Sequence, residues 1–348
     1  MIRQKMANRL WRAARNSYIV RRLLLAVPQL LGITLAVFVL VRQIPGDPAF
    51  YFAGPTATPE QIVQKRIDMG LDQPIYTQYL HYMTNMIHGD LGFSLVTSQP
   101  VTKDILGRFP ATFELITFAL VLCFIVFLPL AALAARKPRG IAARISKLYS
   151  LTAGSLPDFW WGLILIFIFF VKLGASPAPL GRLSITAEPP TKHTGLLTVD
   201  AVLASDWTTA RDAFSHLLLP AFTLAFVYGG PILKQMQSGM IHVANAPFLR
   251  YARLCGLQRG TVFRYALRNA SLPAITMTGL TYAYLIGAAV VVETVFSWGG
   301  IGQYAVQAIT SSDYSAVSGT VLVTTIFSLL VYLAMDIVYK WVDPRVEY

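Results

Sequence analysis

Six stretches of this chain are long and apolar enough to cross a lipid bilayer, and no other feature narrows its fold as far. A spanning helix needs ~20 mostly apolar residues, rising about 1.5 Å each, to cover ~30 Å of hydrocarbon. The runs lie at about 23–41 ("LLLAVPQLLGITLAVFVLV"), 111–135, 148–171, 217–236, 273–296 and 316–339. The expected fold is therefore all-α and integral to a membrane, with six transmembrane helices. Composition agrees: 55% of the 348 residues are hydrophobic, 13% are charged, and the mean hydropathy of +0.54 is too high for a soluble domain of this size.

Positively charged loops stay in the cytoplasm, so the Lys and Arg pattern orients the spans. With both termini inside, the inner segments hold 20 of the chain's 29 basic residues, and the outer segments hold 9, diluted by 11 of the 17 acidic ones. This predicts an N-in, C-in topology. The net charge of +12 is thus juxtamembrane, facing lipid head groups, and nucleic acid is not expected as a partner. The basic N-terminus before an apolar run resembles a signal peptide, but the run is too long and lacks a prompt small-x-small site, which predicts an uncleaved first helix. Cys123 falls mid-span and Cys255 in a cytoplasmic loop, depths that predict no disulfide.

The predicted organisation is a basic cytoplasmic tail (1–22), a first spanning helix (23–41), a long external loop (42–110) and a core (111–348). That core carries five spans, an external loop at 173–214 and a cytoplasmic loop at 237–272. The external segments are long enough to be lids or binding surfaces. There is no phosphate-binding G-x-x-x-x-G-K-[ST], no H-E-x-x-H and no Cys/His cluster with metal spacing, so neither ATP binding, a metal nor catalysis is expected of this chain. "GGIG" at 299–302 reads as a turn. Ionisable residues inside spans raise a functional question. Glu114, Glu293 and Asp336 lie near span ends, where capping or snorkelling competes with a ligand role; Asp158, in "SLPDFWWG", lies deeper and stays open between the two. Asp158, Phe159, Trp160 and Glu293 are the pathway candidates. Pro28, Pro129, Pro157, Pro220 and Pro231 interrupt spans, as kinks or as breaks around a pathway.

The most arginine-rich internal stretch is "PFLRYARLCGLQRGTVFRYALRNASLP", residues 247–273. Asn245 and Pro247 open a helix and Gly256 stops it, about nine residues on. Beyond Gly256, Val262, Phe263, Ala266, Leu267 and Ala270 share one face with Arg264 and Arg268 opposite, which predicts a second helix lying at the lipid surface until Pro273 starts the fifth span. A short projecting helix flanked by arginines suits a socket on another protein.

The spacing "YARLCGLQR…ALRNASLP" resembles the cytoplasmic coupling loop of ABC importer permeases of the dipeptide/oligopeptide family. The resemblance extends through "IPGDPA", "GDLGFSL", "LPDFWWGLILI", "HLLLPAFTLA", "VVVETVFSWGGIG", "DY" at 313–314 and "DPR" at 343–345, in order and on matching sides of the membrane. It implies a type I importer fold and, as ATPase-docking residues, Arg250, Tyr251, Ala252, Arg253, Gly256 and Leu257. Arg250 and Tyr251 stand where the general Glu-Ala-Ala-x-x-x-Gly pattern has Glu and Ala, so its salt bridge does not carry over. The partners implied are a second related permease chain, two ATP-binding subunits, an external substrate-binding protein and membrane lipid, with ATP bound by the partners. Two rivals remain at this stage: an ion-coupled secondary transporter energised through acidic residues such as Asp158, and a purely structural membrane scaffold.

Overall fold

The computed structural model describes residues 18–43, 47–54 and 56–342. The basic residues Arg3 to Arg15, the whole of "IPG" before Asp47, and the terminal "DPR" lie outside them. The described residues divide into two compact units, one built from residues 18–108 with 304–333, the other from 109–303 with 334–342.

In the first unit, α1 (Tyr18–Arg42) packs Phe38 against Tyr79 and Tyr82 of α4 (Ile75–Ile87), with ring centroids 5.2 Å and 5.9 Å apart. Between them come α2 (Pro48–Ala53), capped by Asp47, and α3 (Pro59–Asp68), opened by a reciprocal Thr58–Gln61 capping box. The motifs "GDLGFSL" and "DY" meet here. Asp313 is fully buried and accepts from the Ser94 hydroxyl at 2.6 Å and from the N–H groups of Leu95, Val96 and Ala316. Gly92, at φ +83°, lies so near Ser315 that a Cβ would come within 2.9 Å of its hydroxyl.

Two long helices, α5 (Val101–Arg136) and α14 (Tyr314–Val342), and the short α13 (Ile301–Thr310) contribute residues to both units. The second unit adds α6 (Ile141–Thr152), α7 (Asp158–Ile166) continued by a π-helical segment Phe167–Lys172, and α8 (Leu197–Leu203). It is completed by α9 (Trp207–Tyr228), α10 (Gly230–Ala244), α11 (Pro247–Leu254) and α12 (Arg259–Val295). Its core joins Cys123, Phe127 and Ala131 of α5, Tyr149 of α6, Met236, Met240 and Val243 of α10, Leu249 and Ala252 of α11, and Val262, Ala266, Ala270 and Ala274 of α12. α10 and α12 pack closely because Gly239 lacks a side chain: a Cβ there would sit 2.8 Å from the Ala270 carbonyl oxygen.

Among the described residues four helices are long and apolar enough to cross a membrane (Leu24–Arg42, Val101–Arg136, Pro273–Val295, Tyr314–Val338). Counting α9 and α10, bent by 52° at Gly229, as one span makes five. The bend has a local cause: Pro231 cannot donate a backbone hydrogen bond and opens a new helix instead. The stretch expected as a third span is broken between Thr152 and Asp158, and the helical part beyond the break, Asp158–Lys172, is 15 residues. At the α-helical rise that covers about 22 Å.

The separate surface helix expected before Pro273 is absent: α12 runs unbroken from Arg259 through Pro273 to Val295. The four-residue spacing of Val262, Ala266, Ala270 and Ala274 carries one buried face across the proline. Packing on α10 along this face outweighs the single hydrogen bond that proline removes.

Candidate functional site

The stretch expected to project does form a separate helix. α11 begins after Ala246, with Pro247 in its first turn where a missing N–H costs nothing. Asn245 does not cap it; its amide turns back to the Ile241 carbonyl at 3.1 Å. Leu249 and Ala252 face inward and are buried in the core that α5, α10 and α12 share. Phe248, Tyr251 and Leu254 follow at i, i+3, i+6 on the outside, 45%, 70% and 78% exposed. Arg250 and Arg253 are also exposed.

The end of α11 explains its glycine. Leu257 N–H reaches the Ala252 carbonyl at 3.2 Å and Gly256 N–H reaches the Arg253 carbonyl at 3.1 Å, the paired bonds of a Schellman cap. Gly256 has φ +76°, and nothing within 4 Å would meet a Cβ. Of the two reasons for glycine here, the left-handed backbone is the one met within this chain. Leu257, after the turn, packs back on the core. Arg253, expected to point to a socket, places one guanidinium nitrogen 3.4 Å from the Ala244 carbonyl, at the C-terminus of α10. The chain thus gives this site a firmly anchored inner face and an outer face of aromatic, aliphatic and cationic groups. Leu249, Phe248 and Leu254 were not singled out from the sequence, although their helical spacing was there to be read.

The pathway candidates do not come together in one place. Asp158 stands in the first turn of α7, where its carboxylate accepts from the Phe159 N–H at 3.1 Å and from the Tyr228 hydroxyl at 3.2 Å. That ties the start of α7 to the end of α9. Phe159 and Trp160 are 40% and 51% exposed. Glu293 is fully enclosed: the Thr112 hydroxyl donates to it at 2.5 Å, Gln303 N–H at 2.9 Å, and Ile301 N–H donates to Thr112 in turn. Only half of "GGIG" is the expected turn: Gly299 and Gly300 turn around this carboxylate and Ile301 and Gly302 already open α13; a Cβ on Gly302 would come 2.6 Å from the Val290 Cα.

Glu114 does more than end a span. It pairs with Arg182 at 2.5 Å and accepts from Leu197 N–H, Thr198 N–H and the Thr198 hydroxyl, fastening the 173–214 segment to α5. Asp212 holds Ser184 through both its N–H and its hydroxyl, each at 2.7 Å. Asp200 is buried, which alone would push its carboxyl up, but bonds from Thr194, Gly195 and His193 outweigh that and hold it below the usual range. No group of His, Cys, Asp or Glu among the described residues could hold a metal.

Residues 127–348 match the family described as binding-protein-dependent transport system inner membrane component, and residues 16–116 match the N-terminal family of the same membrane components. The chain is 36% identical over 335 residues to a dipeptide transport system permease protein of Escherichia coli strain K12, covering 95% of this chain and 98% of that one. It is 38% identical to a di/tripeptide transport system permease protein of Pseudomonas aeruginosa, covering 95% and 99%. To an oligopeptide transport system permease protein of Bacillus subtilis the identity is 34%, again over 95% and 99%.

Proposed function

Since the chain belongs to the family of binding-protein-dependent transport system inner membrane components, we propose that it forms half of a translocation pathway for di- and oligopeptides, driven through α11 by a partner ATPase. It is the non-catalytic permease subunit of an ABC importer in the inner membrane and needs no cofactor of its own. Such a system includes an ATPase, a binding protein and permease subunits. In the finer reading, a second related permease chain completes the pathway and two ATP-binding subunits sit beneath the pair. The external segments 43–109 and 173–214 receive the binding protein. The six-span, N-in, C-in type I arrangement is retained by counting α9 with α10, and the broken α6–α7 stretch with its π-helical end, as one span each.

The observation that carries the coupling role is the two-sidedness of α11. Its inner face is part of the core, so a displacement imposed on the outer face moves α5, α10 and α12 with it. Uptake and binding-protein-stimulated ATP hydrolysis in vesicles reconstituted with all partners test it. Gly256→Asp puts a charged side chain at a left-handed position beside the docking face without removing apolar burial. It is expected to leave the complex assembled while lowering coupled uptake roughly tenfold or more. Wild-type coupling in that variant would make the loop a solvated connector.

A further inference from the structure

A groove of about 690 Å³ opens beside α11, where the end of α5 meets the end of α10 and the start of α12. Arg136, Arg253 and Arg259 line it above an apolar floor that includes Met240 and Phe263. The Arg136 guanidinium lies 5.8 Å from the Phe263 ring centroid. Among the described residues none of these three cations forms an ion pair, and residues 136–157 and 229–272 contain no Asp or Glu. The first turn of α12, where Gly260 borders the groove, has no side-chain cap on its N–H groups.

We propose that this groove binds the phosphate of an anionic phospholipid from the cytoplasmic leaflet, with acyl chains lying on the apolar floor. Guanidinium groups match phosphate oxygens in pairs, and an uncapped helix N-terminus adds donors and a favourable dipole. A soluble anion would use the arginines but leave the floor unused; a phospholipid satisfies both. The position fits as well, because Arg136 is the last residue of a spanning helix, at the depth where head groups lie. The bound lipid would brace the junction of α5, α10 and α12 against which α11 packs. From the proposed function this takes only the cytoplasmic side, which rests on the distribution of arginines.

The test is native mass spectrometry of the whole transporter complex in detergent, with phosphatidylglycerol or phosphatidylcholine added at equal concentration. Wild type is expected to retain phosphatidylglycerol in preference. Arg136→Gln with Arg259→Gln is expected to lower that retention roughly tenfold or more while phosphatidylcholine retention stays the same. Both arginines are exposed, so the spectrum should still show intact complex. Arg139→Gln with Arg144→Gln, on cytoplasmic arginines outside the groove, should change nothing. Equal retention of the two lipids by wild type, undiminished phosphatidylglycerol in the first double variant, or displacement by inorganic phosphate at matched concentration would overturn the proposal. Binding is read without ATP or transport, so a failure of α11 as the docking helix would leave this result intact.

Discussion

The segment around α11 and the segment 173–214 belong to the same compact unit, yet they are held by opposite means. Around segment 173–214, carboxylates do the fastening: Glu114, Asp200 and Asp212 each accept several hydrogen bonds, and Arg182 has its ion pair. Residues 229–272 contain no carboxylate; there Leu249, Ala252 and Leu257 anchor α11 by packing, and a backbone cap ends it. The difference teaches where this protein keeps charge for others. Carboxylates of segment 173–214 are engaged by the segment's own folding, whereas the arginines around α11 form no ion pair among the described residues.

The sharpest way to break the comparison is an all-or-none experiment. Cys255 is exposed beside α11 and Cys123 is buried, so a membrane-impermeant thiol reagent is expected to label the chain in inside-out vesicles stripped of ATPase and to leave intact spheroplasts unlabelled. Labelling in spheroplasts would exchange the two sides and undo the reading of both segments.

Next in size is Glu114→Ala. It strands Arg182 in a site where that side chain is 20% exposed and removes the acceptor for Thr198. Breaking a buried pair in this way costs about 3–5 kcal/mol. The expected result is a clearly lower unfolding temperature of the purified complex and early proteolysis within 173–214. Arg250→Ala, on the outer face of α11, should shift the temperature little, as exposed arginines do. Equal shifts for the two would mean that the external segment does not depend on its carboxylate.

Acid should separate the segments by a smaller margin. Bonds from Thr194, Gly195 and His193 hold Asp200 below its ordinary pKa although burial opposes them. A depressed carboxylate contributes stability that is present above its unfolded pKa and lost as pH falls through the folded one. Hydrogen exchange in residues 194–206 is therefore expected to rise as pH drops below about 4, after correction for intrinsic rates, while α11, with no carboxylate nearby, keeps its protection. Parallel loss in both would show that acid acts on the whole unit.

Much of this was legible beforehand because it is local. Apolar run length, arginine placement, the Pro247 start and the Gly256 stop each depend on a few adjacent residues, and the structure bears out a separate short helix between them. The partners of buried charges were not legible. Glu114 and Arg182 are 68 residues apart, and Ser94 and Asp313 are 219 apart. Nothing in the spacing of one predicts the other.

By itself, the sequence determined an all-helical membrane chain and the kinship that makes it a transport component, because hydropathy and motif spacing act residue by residue. Only the tertiary structure decided which of the prolines end a helix: the third apolar stretch breaks before Asp158 and α9 gives way to α10 at Pro231, whereas α12 runs straight through Pro273. In each case the local preference is worth a hydrogen bond or so, and the outcome turns on whether a neighbouring helix offers a face to pack against. Along α12 it does: α10 approaches through Gly239, and the buried face continues across the proline.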